Sequence, residues 1–341
     1  MAWYDTKGSE KNVVISSRIR FARNIADYPF ALKLDPASAS EINEKVKSIF
    51  GGKDYEIIDF GKLGQIEKRM YTERHLASPE YETSRLPGII VINKKKNLSI
   101  MVCEEDHVRL QCITSGFSLD EAYEAACGAD DIICEKLNIA YDEKLGFLTH
   151  CPTNIGTGMR ASVMMFLPAL TISKEINKMT APLLKFGLAI RGLYGEGSNA
   201  DGYLYQISNQ VTLGLTEEDT INKLSEIIKE IIFRENLARG VLKTDNPGKL
   251  TDIIMRSYGI LNYAHMISSE EFIKLYADVR LGISLGYIKD IDYEELDALM
   301  ISVMPANLIK QSDRELSNGE RDIFRAKYVK NKLKEITKYG D

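Results

Sequence analysis

Strand-like alternation in this chain stops near residue 240, and that break limits what the chain can fold into. Residues 11–25 read KNVVISSRIRFARNI, with Val14, Ser16, Arg18 and Arg20 on one parity and Val13, Ile15, Ser17, Ile19 and Phe21 on the other. The pattern predicts a strand with a polar, basic face. Further short strands are expected at 88–92, 98–103, 108–114, 145–149, 186–191 and 203–208. Ile42, Val46, Ile49 and Phe50 recur at helical spacing, which predicts a helix over Pro36–Phe50 closed by Gly51-Gly52. Helices are also expected at 65–76, at 118–137 behind a capping box of Ser118 and Glu121, at 160–167, and at 216–238 behind Thr216 and Asp219. Between 250 and 339 almost only helical text remains, broken at Gly259, Gly286, Pro305 and Gly319. The expected fold is therefore α+β over 1–240, followed by an all-helical module over 241–341.

Composition narrows the function classes. With 44% hydrophobic and 27% charged residues in 341, the chain has the material for a real core. Its 44 basic and 49 acidic residues leave a net charge of −5, which argues against nucleic-acid or membrane-surface binding but permits a local basic pocket. The five cysteines show no C-x-x-C and the four histidines no H-E-x-x-H, so no metal site is expected. The longest apolar run, 163–170, contains Pro168 and is too short to cross a bilayer. Residues 1–5 do not read as a signal peptide, and the expectation is a cytoplasmic protein with reduced thiols.

Arg18 and Arg20 alternate on one strand face, where they would repel each other unless they share an anion. A solvated sheet face is the plain alternative. Arg109, Arg160 and Arg191 favour the anion, because each stands where a strand meets a glycine-rich or acidic loop. GTGMR, ending at Arg160, is expected to open a helix whose N–H groups join the arginine on a phosphate. No G-x-x-x-x-G-K-[ST] is present, nor the glycine-loop, H-R-D and D-F-G set of protein kinases. Glu105 and Glu196 lie in loops near Arg109 and Arg191, where a pair of acids would hold a cationic acceptor. Cys151 stands at the mouth of the same loop region, as an inert thiol or as a thiolate partner for a guanidinium.

VISSRIRFARNI (14–25), EEDHVRLQ (104–111) and LTHCPTNIGTGMR (148–160) resemble blocks of the ATP:guanidino phosphotransferases, the creatine and arginine kinase family. RGLYGEGSNADG and QISNQVTLGLTEED extend the likeness over roughly 11–240. Typical phosphagen kinases differ, since they carry a long helical domain before the first arginine strand. Here that strand begins near residue 11 and the helical module comes last. RDIFRA (321–326) is similar to the R-D-x-x-R-A element of the bacterial protein arginine kinases of the McsB type.

The resemblance implies a central, mostly antiparallel sheet flanked by helices, and ATP with Mg²⁺ as the nucleotide. It implies that Arg18, Arg20, Arg109, Arg160 and Arg191 hold phosphates, with His75 near the adenine. Glu105 and Glu196 would hold the guanidinium, Glu105 being the first choice for the base, with Cys151 beside it and Asn154 shaping the loop. Arg321, Asp322 and Arg325 would form an allosteric phosphoarginine site. Implied partners are protein substrates with exposed arginines, a second copy of the chain, an activator protein and Clp-type proteolysis in stress responses. One departure is that Met101, Val102 and Cys103 precede Glu104 where phosphagen kinases have tryptophan and asparagine. Two rival readings are a free-arginine kinase and a catalytically silent phosphoarginine-binding regulator.

Overall fold

The computed structural model describes residues 2–192, 201–312 and 314–338. Its strands are β1 (Val14–Arg23), β2 (Tyr55–Asp59), β3 (Ile89–Asn93), β4 (Leu98–Val102), β5 (Val108–Ser115), β6 (Tyr141–Asp142), β7 (Gly146–Phe147), β8 (Met159–Phe166), β9 (Leu188–Gly192) and β10 (Leu204–Asn209). Its helices are α1 (Pro36–Phe50), α2 (Gln65–Glu73), α3 (Pro79–Glu82), α4 (Leu119–Lys136), α5 (Pro168–Ile172), α6 (Ile176–Lys185), α7 (Glu217–Asp245), α8 (Pro247–Tyr263), α9 (Ser269–Ser284), α10 (Tyr293–Ser302), α11 (Pro305–Ser312) and α12 (Asn318–Lys338). The fold is mixed α+β, with an eight-stranded sheet in the order β2-β3-β4-β5-β1-β8-β10-β9 and helices alone after β10. The β2/β3, β3/β4, β4/β5 and β5/β1 pairs are antiparallel. No described helix is long and apolar enough to cross a membrane.

The chain divides into two compact units. One holds residues 2–3, 16–163 and 208–226, and the other holds 4–15, 164–207 and 227–338. In the first, α1 starts where Asp35 accepts the backbone N–H of Ala37 and Ser38, with Pro36 at its first position. Phe60 stacks on Tyr81 at 4.5 Å within a cluster that includes Leu76, Ile90, Ile92 and Met101. The Tyr81 hydroxyl, buried there, donates into the sheet at Val102 O, 2.6 Å away. That cluster fixes α2 and α3 against one sheet face.

In the second unit, two clusters of buried charge involve residues near the start of the chain. Arg280 and Lys11 share Asp297, with Lys11 Nζ at 3.0 Å, and Arg280 Nη2 donates to Lys11 O at 2.7 Å. Glu235 accepts the N–H groups of Ala169 and Leu170 at the start of α5, and Arg239 bridges from Glu235 to Asn12 O and Phe166 O. Buried ions of this kind demand full pairing. Gly282 lets α9 close on α8, since a side-chain carbon there would run into Ile254.

Two expectations need correction, and one strand was not expected. Residues 160–167 are not helical: Met159–Phe166 is β8, a strand with nearly every residue buried. A strand covered on both faces loses its alternation, and its unbroken apolar text is then indistinguishable from buried helix. The Ser118–Glu121 capping box does not form, because Ser118 Oγ turns back to Thr114 Oγ1 and Ser115 O at the end of β5. The half-buried strand β2 has no counterpart in the sequence reading.

Candidate active site

The antiparallel register sets Arg18 opposite Ile113, Arg20 opposite Gln111, and Ala22 opposite Arg109. Residues paired across strands share a face, so Arg18, Arg20 and Arg109 project the same way. Arg18 Nε donates to Ser162 Oγ at 3.4 Å, which brings Arg160, two positions earlier on β8, to that face as well. Arg160 Nη2 donates to Ser208 Oγ at 3.2 Å. These arginines feel one another. Burial, then Arg109 and Arg160, push the Arg18 guanidinium down to about 10. Burial, then Arg18, Arg109 and Arg160, push Arg20 well below the usual arginine range, against a smaller pull from Glu104. Arg20 Nε is buried and has no acceptor among the described residues. Four converging guanidiniums, one with an orphaned N–H, make a face short of negative charge, which fits a polyphosphate.

His75 sits beside this face. It leaves the end of α2 with φ of +59°, and its carbonyl accepts from Gln111 Nε2 at 2.7 Å. Ser99 Oγ donates to Leu76 O at 2.8 Å, and the Trp3 ring meets the imidazole edge-on at 5.6 Å. Burial, then the Arg18 charge, depress the imidazole from 6.5 to about 4. Between those values the unfolded chain binds this proton and the folded chain does not, so stability falls as pH drops through that window. His75→Gln is expected to remove roughly 2 kcal/mol of the stability difference between pH 7 and pH 4.5, measured by urea unfolding. An unchanged difference would mean that the imidazole titrates normally.

Arg109 leads from this face into a cleft of about 470 Å³ lined by Glu80, Ser84, Leu86, Glu104, Glu105 and His150 among others. Arg109 Nη1 donates to both Glu104 oxygens at 2.8 Å, and Ser78 Oγ donates to Glu104 at 2.5 Å. Burial works against the Glu104 charge, but Arg109 and Ser78 outweigh it and hold the carboxyl below its ordinary value. Glu105 differs. Its carboxylate is 37% exposed and 3.6 Å from Arg109 Nη1. Burial, with Asp106 and Glu104 adding, raises its carboxyl against the pull of Arg109 and His150. A carboxyl raised toward neutrality and open to a cleft is suited to accept a proton.

The Cys151 loop is tied to the Glu105 loop by Asp106, whose Oδ1 accepts from His150 N at 2.7 Å and from Asn24 Nδ2 at 2.6 Å. Cys151 Sγ lies 3.0 Å from Thr153 Oγ1, and Asn154 N donates to Cys151 O at 3.0 Å to close the turn. GTGMR leads into strand β8, so no helix N-terminus stands behind Arg160. Arg191 is the penultimate residue of β9 with its side chain exposed, and Glu196 lies outside the described residues. Glu104 escaped the sequence reading, although it is the anion that Arg109 contacts most closely. Gln111 and Ser162 escaped too, although the parity of Arg109 and Arg160 carries them to the same face.

On α12, Arg321 and Arg325 do not present two open guanidiniums on one face. Arg325 is fully buried and donates to Val303 O, Ile267 O, Asp322 Oδ1 and Ser269 Oγ. Arg321 is half-buried, donates to Asn318 Oδ1 at 3.0 Å, and has a buried Nε without an acceptor among the described residues.

Residues 38–238 match the family model of the ATP:guanido phosphotransferase C-terminal catalytic domain, and 247–340 match that of the protein-arginine kinase McsB C-terminal domain. Similar proteins include the protein-arginine kinase of Clostridium tetani, 41% identical over 97% of this chain and 98% of its own. That of Halothermothrix orenii is 42% identical over 97% and 96%. Among solved structures, a lombricine kinase shares the fold with a TM-score of 0.60, 23% identity and 68% of each chain covered. The duplicated taurocyamine kinase of Schistosoma mansoni gives 0.61 at 20% identity, covering 85% of this chain and 49% of its own. The chain is thus an ATP:guanido phosphotransferase by superfamily. Within that superfamily it belongs to the protein-arginine kinase McsB family.

Proposed function

We propose that this protein moves the γ-phosphoryl group of ATP onto the guanidinium of arginine side chains in proteins. The carrying observation is the raised, cleft-facing Glu105 beside the arginine face of β1, β5 and β8. Arg18, Arg20, Arg109 and Arg160 would hold the phosphates and offset charge on the moving phosphoryl group, and Arg191 is assigned with them from the family likeness. Among the described residues no group of three His, Cys, Asp or Glu side chains is placed for a bare ion, so Mg²⁺ enters as part of the nucleotide substrate. As the N–P bond forms and the bond to ADP breaks, the acceptor nitrogen loses a proton to Glu105. Glu196 would hold the rest of the guanidinium, and Cys151 would flank it.

Incubation with ATP and an arginine-rich unfolded protein, followed by mass spectrometry without acid, is expected to find phosphoarginine. Transfer to free arginine alone would instead favour the phosphagen-type reading. Cys151→Ala is expected to reduce turnover by about tenfold and to blunt inactivation by alkylating agents. The orphaned Arg321 Nε supports a phosphoarginine site on α12 that uses Arg321 and Asp322, with Arg325 holding the helix in place. We assign the chain to the cytoplasm, as a homodimer through 241–341 that works with an activator and Clp-type proteolysis.

A further inference from the structure

A second cleft, about 550 Å³, adjoins the Glu105 cleft, and Ser84 and Leu86 line both. The two have opposite polarity. In the first, Glu80, Glu104 and Glu105 outnumber Arg109. In the second, Lys47 is matched by Glu44 at 2.6 Å and Lys62 by Asp59 at 2.7 Å. Arg85, exposed on the dividing segment, has no ion pair among the described residues and leaves that cleft with one uncompensated positive charge.

Asn43 gives the second cleft a further property. It is 5% exposed, its Nδ2 donates to Pro87 O at 3.0 Å, and its Oδ1 finds no donor among the described residues. The bond to Pro87 fixes which end of the amide is the acceptor. A buried carbonyl oxygen on a cleft wall without a donor is unusual enough to point to a ligand N–H.

We propose that this second cleft receives the polypeptide next to the target arginine, with Asn43 taking a backbone N–H and Arg85 selecting an acidic neighbour. The proposal rests on transfer to protein arginines and specifies which of them are preferred. Ser84 and Leu86 join the two clefts, so a peptide with its guanidinium at Glu105 that continues past them brings its next residues to Arg85. Neighbouring clefts of opposite sign would favour arginine close to an acid and disfavour arginine in a basic run.

The test compares peptides with one arginine and either glutamate or lysine at each position from three before to three after it. The wild-type protein is expected to favour glutamate by about threefold in kcat/KM, the scale of an exposed ion pair, with the preference fading in high salt. Arg85→Ala should bring the ratio near one, and Arg85→Glu should reverse it. Equal rates for both peptides in the wild type, or a preference that survives Arg85→Glu, would overturn the subsite while leaving protein arginine phosphorylation intact. Phosphorylation of free arginine with none on any peptide would remove both readings.

Discussion

Glu105→Gln is expected to lower turnover on an arginine acceptor by about 10²–10⁴-fold while changing ATP affinity by less than about twofold. The amide keeps the shape of the carboxyl but cannot take a proton. An arginine guanidinium has a pKa above about 12, so its nitrogen is a poor nucleophile until that proton leaves. Glu104, 2.8 Å from Arg109 and held ionised by it, is the internal comparison. Its loss should free Arg109 and disturb nucleotide binding as well, since a buried cation would lose its partner. Single-turnover rates with saturating ATP separate the two effects. Equal losses of ATP affinity and turnover in Glu105→Gln would place Glu105 in binding and remove it as the base.

Arg20→Met is expected to stabilise the nucleotide-free protein while destroying its function. Arg20 is pressed by burial and by three neighbouring guanidiniums, and its Nε is unsatisfied. An apolar chain of similar length removes those costs, a gain of ~1–3 kcal/mol by analogy with buried ions replaced by hydrophobic residues. In the wild type, ATP at a hundred times its dissociation constant should add about 2.7 kcal/mol of stability. In Arg20→Met most of that response should vanish, with kcat/KM down at least about a hundredfold. Thermal unfolding with and without ATP reads both. A variant less stable than wild type without nucleotide would mean the arginine face is not strained.

Much of this site was legible because its chemistry rides on period-two alternation. Arg18 and Arg20 share a parity on β1, so a basic strand face could be read directly, whereas only the register of β5 brings Arg109 to it. What alternation could not reveal was β8, buried on both faces and therefore written like a helix. Glu104 was hidden for a different reason. Neighbours in sequence, Glu104 and Glu105 look equivalent, and only the turn before β5 sends one to Arg109 and Ser78 and leaves the other facing the cleft. The spacing of Arg321 and Arg325 suggested a shared face, but four internal acceptors claim Arg325. Periodicity gives direction around a helix axis and says nothing about what is packed there.

The chain passes from one compact unit to the other after Trp3, Ile15, Val163, Ile207 and Glu226. During synthesis, Lys11 leaves the ribosome more than 250 residues before Asp297, the acid that neutralises it. Until then the opening segment lacks the acid that meets its ammonium in the folded protein, so vectorial folding from the amino end cannot complete that unit. A version cut after residue 240 would leave Lys11 in the same position permanently. The nascent protein therefore has reason to depend on chaperones until its last helices emerge.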